Sequence, residues 1–381
     1  MGIDLKSLGT KLAQYRNQLT ESVGEVAAAT GIDEARLSKI EGGASEPTGD
    51  EVLILADHYR CDYKFFISNE QVAPFKQTDA LYRAHEGDFS KADRRAIQDF
   101  LYLCETEAFL MQEMGQTTLP FSFSTDDGNF KRNGEAAAAA LRSTLNLSEA
   151  QVPADVYGEF RKVGVHVFRR KLGNSNISGL FVKHPVAGNC ALVNLSEDIY
   201  RQRFSATHEM AHAVFDSDEE ASVSFERQQG LDLREVRANR FASCFLLPPV
   251  VLRKLPEPSL WSEDEAQKWA KEFRVSCQAL GVALKGAGLV DDQTSGRIRG
   301  FRVPRDAKVD PELPQDFTPM QRTRKQRLLE LGLSDFYVGL CFDAFRAGAI
   351  SVGRLAEALL SSRSELIEIA AVYGRALHGT D

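Results

Sequence analysis

Apolar residues recur every three or four positions over most of this chain and alternate in only one short region. Leu5, Leu8, Leu12 and Tyr15 predict a first helix. Ser22 with Glu25 three residues on has the form of a capping box, and the helix it opens runs through Val26 to a stop at Gly31. Asp33 caps a third helix with Leu37 and Ile40 inward. Gly42, Gly43 and Pro47 then break the chain before a fourth helix with Val52, Leu53, Leu55 and Ala56. Short helices joined by a glycine-containing turn are the helix-turn-helix arrangement. The pattern is weak and mixed over 70–89. From Ser90 a long amphipathic helix carries Ile97, Phe100, Leu101, Cys104, Ala108 and Met111 and ends near Gly115. Residues 116–133 are polar and aromatic, with a turn at Asp126-Asp127-Gly128.

From Glu135 the pattern changes. A five-alanine run leads into Leu141 and Leu145, which predicts a helix, and Pro153 can open another at its first turn. Residues 163–168, 177–182 and 190–195 read as strands, the last two separated by Pro185 and Gly188. Helices follow over about 202–216 and 231–247, the second ended by Pro248-Pro249. Residues 261–288 look helical, 291–320 look like a linker or extended arm, and 333–376 hold two to four more helices, one pair of which could echo a helix-turn-helix. The chain thus reads as mainly α with a small α+β unit. The expected divisions are 1–70, a connector at 71–133, the α+β domain at 134–255, a helix and basic linker at 256–330 and a helical region at 331–381.

Composition narrows the classes. In 381 residues, 46 Lys and Arg stand against 54 Asp and Glu, a net charge of −8, so any nucleic-acid contact must come from a local patch. No apolar run approaches the roughly 20 residues of a membrane helix. The start has neither a signal-peptide core nor a myristoylation pattern. The six cysteines form no CxxC pair and no disulfide framework, which points to a reducing cytoplasm.

The chemistry concentrates at His208-Glu209-Met210-Ala211-His212, an HExxH on a predicted helix. Four residues are about one turn, so both imidazoles leave the same face and can reach one metal at ~2.0–2.1 Å. Glu209 is then the general base toward a metal-bound water. A catalytic zinc needs a third protein ligand. Glu235, on the downstream helix, is the first candidate, with Asn239 one turn on to orient it. Glu219, Glu220, Asp216 and His184 are weaker alternatives, more in keeping with surface positions.

The run Ala191-Leu-Val-Asn-Leu, then Arg203 to His212, then Glu235-x-x-Ala238-Asn239-x-Phe241-Ala242 and Leu246-Leu247-Pro248 resembles the ImmA/IrrE family of metallopeptidases over about residues 135–250. The resemblance implies a zincin-like domain with a short sheet. It makes His208, His212 and Glu235 the ligands of Zn2+ or another divalent metal, and Glu209 the catalytic residue. It implies a peptidase that cuts a helix-turn-helix repressor at one site, in settings of DNA damage, phage induction or phage defence. Leu247 replaces the usual Met, and Arg237 stands where the family often has an acidic residue.

The N-terminal unit is similar to the five-helix Xre/Cro-type helix-turn-helix, through Ala27, Gly31-Ile32, Leu37 to Gly42 and Pro47. The start of the recognition helix would offer Glu34, Arg36 and Lys39 to duplex DNA. Yet residues 1–66 hold seven basic against eleven acidic side chains, a net of −4. The larger positive excess is at 297–327, nine against four. Arg297, Arg299 and Arg302 there are interleaved with Phe301 and Phe317, a pattern suited to single-stranded nucleic acid or simply to a solvated linker. Two functions are therefore expected to compete. One is a cytoplasmic metalloendopeptidase switched by a stress signal, with single-stranded DNA a possible activator. The other is a DNA-binding regulator, dimeric or not, whose peptidase fold serves sensing or self-cleavage.

Overall fold

The computed structural model describes residues 3–68, 75–85, 87–119, 121–125, 128–216, 221–225, 232–314 and 316–377. The turn expected at Asp126-Asp127 and the alternatives Glu219 and Glu220 lie outside them.

The N-terminal unit comprises α1 (Leu5–Gln18), α2 (Val23–Thr30), α3 (Glu34–Glu41), α4 (Gly49–Tyr59) and the short α5 (Lys64–Ile67). Ser22 and Glu25 form the expected reciprocal cap, Asp33 accepts from Arg36 N, and Gly31 takes the left-handed conformation that ends α2. Leu8, Leu12, Tyr15, Val26, Leu37, Ile40, Leu55 and Tyr59 fill its core.

The mixed stretch contains α6 (Phe75–Ala84), and α7 (Lys91–Glu113) follows from a Ser90–Asp93 capping box. α7 holds the N-terminal unit by its helix ends. Arg94 donates to Gln18 O at 3.0 Å and Arg95 to His58 O, so two guanidinium groups satisfy carbonyls at the ends of α1 and α4. Arg95–Glu21 and Lys91–Glu25 ion pairs add to this dock.

The central region runs α8 (Phe130–Thr144), α9 (Val156–Lys162), β1 (Val165–Arg170), β2 (Ile177–His184), β3 (Gly188–Asn194), α10 (Ile199–Phe215), β4 (Ala221–Phe225), α11 (Leu233–Leu246) and α12 (Pro249–Leu252). α8 begins before Glu135, capped by Asn129. α9 begins after Pro153, because Asp155 is the cap, accepting from the Tyr157 and Gly158 N–H groups. The sheet order is β1-β3-β2-β4, with β1 parallel to β3 and the other pairs antiparallel. The sequence pattern does not reveal β4: only five residues long, it follows an acidic run and offers Val223 as its one fully buried apolar residue.

Both faces of the sheet are buried, and the alternation of its strands sorts them. Phe168, Leu180, Val182, Cys190, Leu192 and Val223 face α6, α7 and the C-terminal helices. Val165, Val167, Phe181, Ala191 and Val193 face α10, α11 and α8. The alanine run of α8 lets it lie close on α11. A Cβ at Gly134 would stand 2.6 Å from Arg237 O, so this crossing requires glycine.

Downstream come α13 (Glu263–Glu272), α14 (Cys277–Gly286), α15 (Asp292–Gly300), α16 (Pro319–Glu330), α17 (Asp335–Arg346), α18 (Val352–Ala358) and α19 (Glu365–Val372). The first part of the expected linker is thus helix α15. Ser295 donates to Gly281 O and Ile298 is fully buried, an inward face too small to stand out among the arginines. Leu333, Tyr337, Phe342, Leu355 and Leu366 pack with α7 and the sheet in one core. No helix among the described residues is long and apolar enough to cross a membrane, and all six cysteines are free thiols.

Candidate metal centre

α10 crosses the sheet on small and apolar residues (Ala206, Met210, Ala211, Ala213), which bury the HExxH segment between the strands and α11. His208, His212 and Glu235 converge. The two Nε2 atoms are 3.1 Å apart, and Glu235 places one oxygen 3.1 Å from His208 Nε2 and the other 3.3 Å from His212 Nε2. Ligands at ~2.0–2.1 Å around a tetrahedral ion are separated by roughly 3.3 Å, so this triangle has the dimensions of three corners of a metal site. The buried His-His-Glu cluster could therefore coordinate a divalent metal.

The opposite ring nitrogens are also held. His208 Nδ1 meets Asn239 Oδ1 at 3.2 Å, and His212 Nδ1 meets Asp216 Oδ2 at 2.7 Å. A donor N–H on each Nδ1 leaves each Nε2 lone pair for an ion. Asn239 thus contacts a histidine, and no Asn239–Glu235 hydrogen bond occurs among the described residues. Asp216 lies outside the ligand triangle, buried against His212, and its second oxygen receives Arg237 Nη2 at 2.5 Å. Arg237 stacks over Phe215, which fixes it from the other side. His184 is buried elsewhere and accepts from the Val186 and Ala187 N–H groups.

Burial opposes ionisation of Glu235, but hydrogen bonds from both histidines outweigh it and hold the carboxylate well below its usual range. Burial also opposes protonation of His212, yet Asp216, Glu235 and Glu209 hold that imidazole up, at about 10. A proton thus competes with any metal for this nitrogen.

Glu209 is fully buried, and neither carboxylate oxygen has a hydrogen-bond partner among the described residues. Burial pushes its pKa up against the pull of His212 and His208. Ser224 of β4 faces the carboxyl without the geometry of a full hydrogen bond. Gly179 of β2 makes the room: a Cβ there would stand 2.8 Å from both Glu209 Oε1 and Leu192 O. An orphaned buried carboxylate beside a ligand triangle fits a site completed by an ion and water, since a buried acceptor left unpaired is costly. Sequence spacing alone gave no signal for Gly179 or Ser224, because both depend on the Gly179–Ser224 pairing of β2 with β4.

The candidate nucleic-acid residues are apart from this centre. Glu34 and Lys39 are exposed on α3. Arg36 is engaged within its own domain, bidentate to Glu51 at 2.8 and 2.9 Å and donating to Ser45 and Glu46 O. Arg297, Arg299 and Arg302 are exposed at the C-terminal end of α15 and just beyond it. Arg297 donates to Ser259 O and Arg302 to the carbonyls of residues 299–301. Phe301 packs half-buried on the core.

Two family models match the chain: the IrrE N-terminal-like domain of the M78 peptidases at residues 160–285, and a helix-turn-helix domain at residues 7–63. No curated protein matches it. The metal-type cluster and the small sheet lie inside the first match and nearly all of α1 to α4 inside the second, so the chain carries an IrrE/ImmA-like M78 peptidase domain at 160–285 and a helix-turn-helix domain at 7–63.

Proposed function

We propose that the protein is a zinc-dependent endopeptidase that cleaves a helix-turn-helix transcriptional repressor in response to a stress signal. The observation that carries the reading is the orphaned Glu209 carboxylate beside the His208–His212–Glu235 triangle. His208, His212 and Glu235 hold the ion, which when bound supplies Lewis acidity toward a peptide carbonyl and acidifies water. Glu209 takes the proton of the attacking water on its carboxylate and delivers it to the leaving amine. Asn239 and Asp216 keep the two imidazoles turned toward the ion. Among the described residues β4 has a single strand neighbour, and its Ser222 and Ser224 alternate toward the α10 face. An extended substrate segment can add beside β4, next to Glu209.

The test is elemental analysis of the purified chain, followed by mass spectrometry of a helix-turn-helix repressor encoded beside its gene. One zinc per chain and a single new repressor terminus are expected. A metal-free protein, or an intact repressor under every activating condition tried, would remove the reading.

Asp216→Asn is expected to weaken metal binding by about 10–100-fold, the usual effect of losing a carboxylate behind a ligating histidine. Competition against a chromogenic chelator measures it. An unchanged affinity would mean that Asp216 only packs.

A further inference from the structure

At the N-terminal end of α10, away from the metal-type cluster, a cavity of about 180 Å³ opens between α9, α10 and the segment 309–312. Arg203 lines it. The residue is 4% exposed, and its two Nη atoms donate to Ala154 O at 2.9 Å and Pro153 O at 2.7 Å. Its Nε is buried with no partner, and no carboxylate pairs with it among the described residues. Arg274 also lines the cavity and, among the described residues, donates only one long bond, to Ala154 O at 3.4 Å. The Tyr157 hydroxyl, buried in the same wall, has no partner either.

The acidic side chains that line the cavity are engaged elsewhere: Asp155 caps α9 by accepting from the Tyr157 and Gly158 N–H groups, and Asp335 pairs with Lys325. Asp310 pairs with Arg169 at 2.7 Å, and Glu312 lies 3.5 Å from the same guanidinium. The buried Arg203 and the half-buried Arg274, which no carboxylate contacts directly among the described residues, and one phenol are thus left facing the cavity. A buried guanidinium with no carboxylate in direct contact is costly. Burial, with Arg274 adding to it, pulls the Arg203 pKa down to about 10.

We propose that this cavity binds a phosphate-class dianion, anchored by Arg203, Arg274 and the Tyr157 hydroxyl. Guanidinium forks with a hydroxyl suit tetrahedral oxygens better than the planar carboxylates already present. The volume exceeds that of a bare carboxylate and is below the ~300 Å³ at which drug-sized ligand sites begin. The site stands independently of the peptidase reading.

The test uses the full chain with inorganic phosphate, and in a second arm a nucleoside monophosphate, each against chloride at equal ionic strength. Calorimetry and thermal unfolding are the readouts. Saturable binding that raises the melting temperature is expected, and the tighter of the two arms tells a free ion from a phosphate ester. Tyr157→Phe and Arg274→Ala should each weaken it about tenfold or more, the loss of one hydrogen bond to a charged group. Arg203→Gln tests the central cation but also loosens the Pro153–Ala154 carbonyls. Tyr157→Phe breaks no bond in the free protein and keeps the result readable if Arg203→Gln does not fold. The proposal is overturned if phosphate gives no more than chloride. It is equally overturned if both Tyr157→Phe and Arg274→Ala bind like wild type, which would locate the anion elsewhere, for example at a metal.

Discussion

Glu209→Gln should keep its metal and lose turnover by on the order of 10²–10⁴-fold, the span for removing a positioned general base. Glutamine has the same shape, so the space that Gly179 leaves beside β2 still accepts it. The ligands His208, His212 and Glu235 are untouched. The folded state should be no less stable, because burial already raises the Glu209 pKa and a neutral amide escapes the cost of a buried charge. Three measurements decide the matter together: metal content, melting temperature and the rate of peptide cleavage. Retained activity with retained metal would mean that Glu209 is not the base. Loss of metal together with activity would mean that it acts in holding the ion.

The second large effect lies behind the sheet and concerns stability. Glu107 of α7 is fully buried, bound by Arg161 Nε at 3.1 and 3.2 Å and by His166 Nδ1 at 2.8 Å. Burial pushes its pKa up, yet Arg161 and His166 outweigh it and hold the carboxylate below its usual range. Arg161→Met leaves that charge without its main partner, which should cost about 3–5 kcal/mol. The pH dependence follows from the direction of the shift. A depressed folded pKa gives stability that is present above the unfolded value of ~4.3 and lost as pH falls through the folded value. In Arg161→Met burial dominates, the shift reverses, and stability is lost as pH rises instead. The gap between wild type and variant in urea unfolding should therefore widen from pH 5 to pH 8. A gap under about 1 kcal/mol, or one that narrows, would show the pair to be dispensable.

Local signals made much of this protein legible. Caps such as Ser22–Glu25 act within one turn, and the four-residue spacing of His208 and His212 needs only a helix to bring the rings together. Glu235 came from the second helix of the motif and the family resemblance. What stayed hidden depends on contacts between distant segments. Asp216 looked like a surface residue because nothing near it in sequence announces Arg237, 21 residues on, as its partner. β4 borrows its definition from β2, and Gly179 matters only because Glu209 lies over it. In α15 the arginines point outward and obscure a two-residue inner face.

The sheet is a wall with a room on each side, and the peptidase match covers only part of one of them. Residues 160–285 contain the strands, the metal-type cluster and α10 and α11, but α8 on that side lies before the match, and the other side is furnished by α7 and by α17 to α19. A fragment cut to the matched range would keep His208, His212 and Glu235 and leave Phe168, Leu180, Val182 and Leu192 open to water. The N-terminal domain is fastened to that same α7 by Arg94 and Arg95. The two recognisable modules therefore do not come apart as cassettes. They are joined through an element that belongs to neither match.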